Sequence, residues 1–327
     1  IGEPPMEIFD YLDPSKWIYV PVGDWVSDAI QWIVTNFRYV FQNIKLPIDF
    51  ILSNIEAGLR GCPPLVFIVL VFLLAWQIAS IRTAIFVAAA LFALAVIGAW
   101  PESMTTLAIV LTSVIFCCAT GIPLGILAAQ NNSFEKGLRP ILDFMQTIPS
   151  FVYLVPIVML FGIGNVSGVI VTIIYALSPV VRLTNLGIRQ VREDLAEASR
   201  AFGASTLQTL FKVQLPLARP AIMTGVNQTI MLSLSMSVIA SMISVTGLGQ
   251  MVLRGIGRLD IALATKGGLG IVLIAMVIDR ISQGFGQSAR ERMQESWLNV
   301  GPIGAVRRLF GAGFPSTSAV PPMKAPE

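Results

Sequence analysis

The chain has 327 residues, 55% of them hydrophobic and 13% charged, with a formal net charge of +3 and no histidine. With a mean hydropathy of +0.76, this composition lies well outside that of soluble domains and marks an integral membrane protein; the small net charge and the lack of a basic run with interleaved aromatics argue against a nucleic-acid partner. Without histidine there is no imidazole base, no triad and no His-ligated metal, and the three cysteines at 62, 117 and 118 form neither a disulfide framework nor a metal set.

Residues 1–61 hold eight acidic and four basic side chains, with prolines at 4, 5, 14, 21 and 47, and contain no apolar run that could span a bilayer. Val26, Ile30, Ile33, Phe37 and Phe41 recur at helical spacing after a start signal at Gly23-Asp24, with Trp17, Trp25 and Trp32 nearby. Two readings fit: an amphipathic helix lying in the membrane interface, or a small packed subdomain. Seven apolar segments follow, at about 63–80, 83–100, 103–129, 144–162, 166–184, 221–244 and 267–286, each near the ~20 residues that a spanning helix needs, with a tight turn at Ile81-Arg82 between the first two. Pro149, Pro156 and Pro179 interrupt backbone pairing inside the segments, and Gly121-x-x-x-Gly125 offers a close-packing notch.

The sixth segment is polar, with Asn227, Gln228, Thr229, Ser233, Ser235 and Ser237. Such groups mostly satisfy one another across helices; Asn227, Ser233, Ser235 and Ser237 are also candidates for lining a translocation path. Between the last two segments Arg254 and Arg258 stand in a glycine-rich stretch that reads as a re-entrant or surface element and a candidate for docking an external partner. Asp279-Arg280 reads as an interfacial ion pair, and the proline-bearing tail, with Pro302, Pro315, Pro321 and Pro322, as disordered at its end. With the N-terminus outside, fifteen Lys and Arg fall on one face and seven on the other, so the positive-inside rule makes the 185–219 loop and the C-terminus cytoplasmic.

That loop carries the most specific pattern in the chain. Val191, Leu195, Ala198 and Phe202 form an apolar helical stripe; Gly203 stands where a helix ends in a left-handed residue; Ser205 and Gln208 make an S-x-x-Q capping box for a second helix, which Pro216 is expected to stop. The run Glu197-Ala198-Ser199, Gly203, nine residues, then Val213, one residue, and Leu215-Pro216 resembles the EAA loop of permease subunits of binding-protein-dependent ABC importers, with Ser199 in place of the second Ala and Val213 in place of Ile. Residues 146–168 and 247–256, together with DWVSDAIQW near the N-terminus, resemble the glycine betaine/proline betaine (ProU-type) branch, and the likeness extends over nearly the whole chain.

The resemblance implies an all-α, polytopic protein of about seven transmembrane helices with a five-helix, MetI-like type I importer core. Its divisions would be a non-spanning region 1–61, two peripheral helices in 62–102, a core 103–287 containing the coupling loop 185–219, and a cytoplasmic tail 288–327. It further implies a bacterial inner-membrane homodimer that meets two cytosolic ABC ATPase subunits through the loop and an external substrate-binding protein on the other side. No G-x-x-x-x-G-K-[ST] occurs, so ATP and Mg²⁺ would be bound by the ATPase partner and this transport subunit would carry no cofactor. A permease for choline, carnitine or an amino acid is the nearest alternative, and an osmotically gated channel the alternative from another class.

Overall fold

In the computed structural model, residues 21–291 and Pro302 are described, so the expectations for residues 1–20, including Trp17, and for the tail from 292 lie outside the described residues apart from that one proline. The described residues are helical, and no strand occurs among them. In chain order the helices are α1 (Val22–Gly61), α2 (Pro64–Ile78), α3 (Ile81–Ile97), α4 (Trp100–Gln130), α5 (Asn132–Thr147), α6 (Leu154–Phe161), α7 (Asn165–Arg189), α8 (Glu193–Ala201), α9 (Thr206–Thr209), α10 (Leu215–Ile239), α11 (Leu248–Gly257) and α12 (Ile261–Glu291).

Every apolar segment is helical, but not each is one straight span. Four uninterrupted helical stretches are long and apolar enough to cross a membrane alone, and counting two bent pairs raises this to six. The segment expected at 144–162 is two helices: α5 and the Ser150–Phe161 stretch meet at 101°. Pro149 has no N–H to continue α5 and sits at ψ 132°, which turns the chain. The segments expected at 63–80 and 83–100 become α2 and α3, of 15 and 17 residues. Their turn lies at Ala79–Ser80 rather than Ile81-Arg82, because Ser80 Oγ accepts from Thr83 N and caps α3 at that point. Residues 22–61 form a single 40-residue helix, about 60 Å long at 1.5 Å per residue, and not a compact subdomain. Its last third is seated on the core through Ile48 and Leu52, while Trp25, Trp32 and Phe37 stay exposed.

The centre is the stack α4–α7–α10. α7 is the most enclosed span, with 61% of its apolar window buried against 22% for α12. Small residues set the approach: the Gly121/Gly125 notch of α4 receives Val180, Val181 and Thr184 of α7, and a Cβ at Gly125 would stand 2.6 Å from Thr184 Cβ and 2.8 Å from the Val181 carbonyl. On the other face of α7, Gly225 of α10 lies against Val180 and Leu183, and Thr229 Oγ1 donates to the Ala176 carbonyl at 3.0 Å. Around this stack α1, α6 and α7 share one apolar cluster, and α2, α3, α4 and α12 share another. Asp279 accepts from Gln283 at 2.8 Å, one turn on, rather than pairing with Arg280, since consecutive helical residues point about 100° apart.

Candidate functional site

The hairpin between α7 and α10 is held together almost entirely by local hydrogen bonds. α8 starts with Glu193 and Asp194 in its first turn, where carboxylates suit the positive end of the helix dipole. It ends as the sequence requires: Gly203 takes φ +82°, Gly203 N donates to the Arg200 carbonyl at 2.9 Å and Ala204 N to the Ser199 carbonyl at 3.1 Å, a Schellman closure. Two residues later the capping box is complete, with Ser205 N donating to Gln208 Oε1 at 2.8 Å and Gln208 N to Ser205 Oγ at 3.3 Å. Ser199, standing where the EAA pattern has its second Ala, is half-buried, and its hydroxyl lies 3.2 Å from Thr209 Oγ1, tying α8 to α9.

Pro216 does not stop the second helix. It lies in the first turn of α10, and Leu210–Gln214 just before it is a π-helical turn, with Leu215 N donating to the Leu210 carbonyl five residues back. Pro216 lacks the N–H that would reach the Lys212 carbonyl and its ring would crowd that group; the wider turn relieves both, so the helix runs on from Thr206 to Ile243. The hairpin is therefore continuous with a membrane span.

Most of the apolar stripe predicted on α8 lies on its exposed side. Ala196 is its buried residue, whereas Leu195 is exposed, Ala198 is exposed and Phe202 is 93% exposed. Leu207 and Phe211 are exposed at 65% and 61%, Glu197 is exposed, Val213 and Leu215 are half-buried, and Leu210 and Ala218 are buried against Ile188 of α7. A hairpin this short has no interior for three large apolar side chains, which leaves Phe202, Leu207 and Phe211 as an outward apolar knob rimmed by Glu197 and Arg200. Arg189 pins its base: the guanidinium donates to the Ala128 carbonyl at 2.7 Å and to Asn185 Oδ1 at 2.8 Å, and pairs with Glu135 of α5 at 3.1 Å. Arg182 pairs with Asp143 of α5 at 2.6 Å. Of the knob, only Phe202 stood out in the sequence, as part of the apolar stripe; the signal for Leu207 and Phe211 was the excess of apolar residues over what so short a hairpin can bury, and Arg189 had none.

The four polar candidates of α10 do not share a face. Asn227 accepts from Ser282 of α12, Ser237 is buried and donates to the Leu234 carbonyl at 2.7 Å, and Ser233 is buried with no hydrogen-bond partner among the described residues. Ser235 alone of the four is exposed. Arg254 and Arg258 end the ten-residue α11, too short to span, and line a cleft of about 340 Å³ with Arg60, Glu102 and Gln250. Among the described residues no cluster of His, Cys, Asp or Glu could hold a metal ion.

Residues 121–290 match the family model described as binding-protein-dependent transport system inner membrane component. The chain belongs to that family. The permease is 55% identical to the glycine betaine/proline betaine transport system permease protein ProW of Escherichia coli (strain K12), over 94% of this chain and 87% of that protein. It is 41% identical to the glycine betaine transport system permease protein OpuAB of Bacillus subtilis (strain 168), over 81% and 94%, and 41% identical to the glycine betaine/carnitine transport permease protein GbuB of Listeria monocytogenes serotype 1/2a (strain 10403S), over 83% and 97%. Over 56% of this chain and 92% of that one, the fold is similar to an inward-facing structure of the MetNI methionine ABC transporter, at TM-score 0.52 and 22% identity.

Proposed function

We propose that this inner-membrane permease carries glycine betaine or proline betaine, delivered by an external binding protein, and that the Glu197–Pro216 hairpin couples it to a separate cytosolic ATPase. One observation carries the coupling: an apolar knob of Phe202, Leu207 and Phe211 is exposed on a hairpin whose second helix runs on into α10. Exposed apolar clusters rimmed by charge fit a protein partner. In this reading two copies of the chain form the pathway, each gripped by one ATPase; the ATPases bind ATP and Mg²⁺, and their closure draws the hairpins together and rocks the helix bundles from inward- to outward-facing. Glu197, Ala198, Ser199, Gly203, Val213, Leu215 and Pro216 shape the grip. The Arg254/Arg258 cleft receives the binding protein on the opposite face, with the N-terminus outside and the C-terminus in the cytoplasm. The reading keeps the divisions 1–61, 62–102, 103–287 and 288–327.

The betaine assignment is supported by what the 55% identical relative is named for. Discrimination among trimethylammonium compounds would rest mainly with the binding protein, where an aromatic cage can hold the cation. The test is uptake of labelled glycine betaine into proteoliposomes holding the permease, its ATPase and its binding protein. ATP-dependent uptake that unlabelled proline betaine suppresses is expected; uptake that only carnitine or choline suppresses would reassign the cargo. Orientation is read separately: a single cysteine at Ser205 should be protected from an impermeant thiol reagent in intact cells and one at Ser27 should react.

A further inference from the structure

α10 crosses the membrane beside the better-buried α7, and one of its faces is unlike the outer faces of α2, α3 and the middle of α12. Thr224, Gln228, Met231 and Ser235 are its exposed positions over this stretch, and at 3.6 residues per turn they fall within an arc of about 60°. Met242, 65% exposed just beyond the end of α10, continues the same line. The exposed positions of α2, of α3 beyond its first turn, and of the middle of α12 are of another kind: Leu65, Val69 and Leu70; Ile85, Phe86 and Phe92; Leu269, Val272 and Met276. Those are faces for lipid.

Two features set the α10 face apart. Thr224 and Ser235 return their hydroxyls to the Pro220 and Met231 carbonyls, but Gln228, near the middle of the span, makes no side-chain hydrogen bond among the described residues. An amide directed at hydrocarbon leaves two donors and an acceptor unpaired, so this face needs water or a polar solute against it. Second, the same helix continues through the π-turn into the hairpin, so displacement of the knob is transmitted to this face without an intervening loop.

Building on the reading above, we propose that the exposed face of α10 formed by Thr224, Gln228, Met231 and Ser235 is the hydrated wall past which the quaternary ammonium zwitterion moves, and that Asn227, Ser233 and Ser237 are packing groups outside it. The chemistry suits passage rather than tight binding. The thioether of Met231 offers a polarisable surface to methyl groups, and the amide N–H groups of Gln228 can meet a carboxylate. No carboxylate or aromatic ring lies on this face to trap the cation.

The test uses the full-length permease with its ATPase in membrane vesicles of both orientations, Cys62, Cys117 and Cys118 first being replaced by alanine, and single cysteines introduced as Gln228→Cys, Met231→Cys, Ser235→Cys, Val272→Cys and Ser233→Cys. The probe is a methanethiosulfonate bearing a trimethylammonium group, which is water-bound and resembles the cargo. The first three positions should react roughly tenfold or more faster than Val272→Cys or Ser233→Cys, as water-lined positions do over lipid-facing or buried ones, and saturating glycine betaine should slow them. Reaction at 228, 231 and 235 no faster than at 272, from either side and with or without ATP, would overturn the proposal. So would a disulfide joining two copies through Ser235→Cys with no labelling, because the face would then be a dry contact between subunits. Labelling that another cargo slows and betaine does not would leave the wall standing and overturn the betaine assignment alone.

Discussion

The α4–α7–α10 stack and the 190–214 hairpin solve the same problem of holding helices together by opposite means. In the stack, glycines at 121, 125 and 225 let backbones approach, and hydroxyls such as Thr229 are spent on neighbouring carbonyls. In the hairpin, hardly any side chain is buried; a Schellman closure, a capping box and the Ser199–Thr209 hydroxyl pair fix the shape, and the large apolar groups face outward. The first is a finished interior. The second has a rigid frame and an unfilled surface, which is what a part made to be gripped requires. Damage should therefore separate: changes in the stack cost folding, and changes on the knob cost coupling while leaving the fold intact.

The largest expected loss of stability is Gly125→Val. Its side chain would meet the Val181 carbonyl and Thr184, so overpacking of about 2–3 kcal/mol is expected. Thermal unfolding of the purified permease in detergent should show a clear drop in Tm. An unchanged Tm would mean that α4 and α7 are not in close contact.

Gly203→Val comes next. A Cβ there would meet nothing within 4 Å, so the cost is torsional, about 1–2 kcal/mol for holding a β-branched residue at φ +82°. The knob is re-aimed and the stack is untouched: Tm should stay near wild type while labelled betaine uptake falls steeply. Glu197→Lys leaves the backbone alone and reverses a rim charge, so it should weaken ATPase pull-down in a salt-dependent way with no change in Tm.

The smallest effect sharpens the comparison most. Ser199→Ala removes one half of the hydroxyl pair and should cost about 0.5–1 kcal/mol, confined to the hairpin. Amide hydrogen exchange should quicken at Thr209 and Leu210 and remain slow at Val180. Equal changes at both places would show that the hairpin and the stack are one cooperative unit.

Much of this was legible from residue order, because its physics is local. Gly203, Ser205 and Gln208 dictate their turn and cap within a window of six residues, and the structure shows each one in place. Gly121 and Gly125 likewise announced a close contact, though not its partner. What the sequence could not show depended on three-dimensional context. Pro149 was legible as an interruption but not as a bend of 101°. Pro216 was read as a stop because a proline normally ends a helix, and the π-turn that lets the helix pass it has no sequence signature. The stripe of Leu195, Ala198 and Phe202 was legible as one face, but periodicity marks a face without saying whether it is buried; Ala196, small and lying off the stripe, is the residue that is buried. The polar residues of α10 form one run in the sequence, and only burial separates Ser235 from Ser233 and Ser237.

The account turns on whether the knob is a docking surface. The most direct measurement is capture of the ATPase by the permease carrying Phe202→Ser, Leu207→Ser and Phe211→Ser together, at matched expression and with Tm and binding-protein association measured in the same preparations. All three side chains are exposed, so Tm and external docking should be unchanged, while ATPase affinity should fall by roughly 30-fold or more, as expected for loss of an apolar hot spot worth at least about 2 kcal/mol. Full capture of the ATPase and full betaine uptake by this triple variant would show that the hairpin is a connecting loop and would contradict the account.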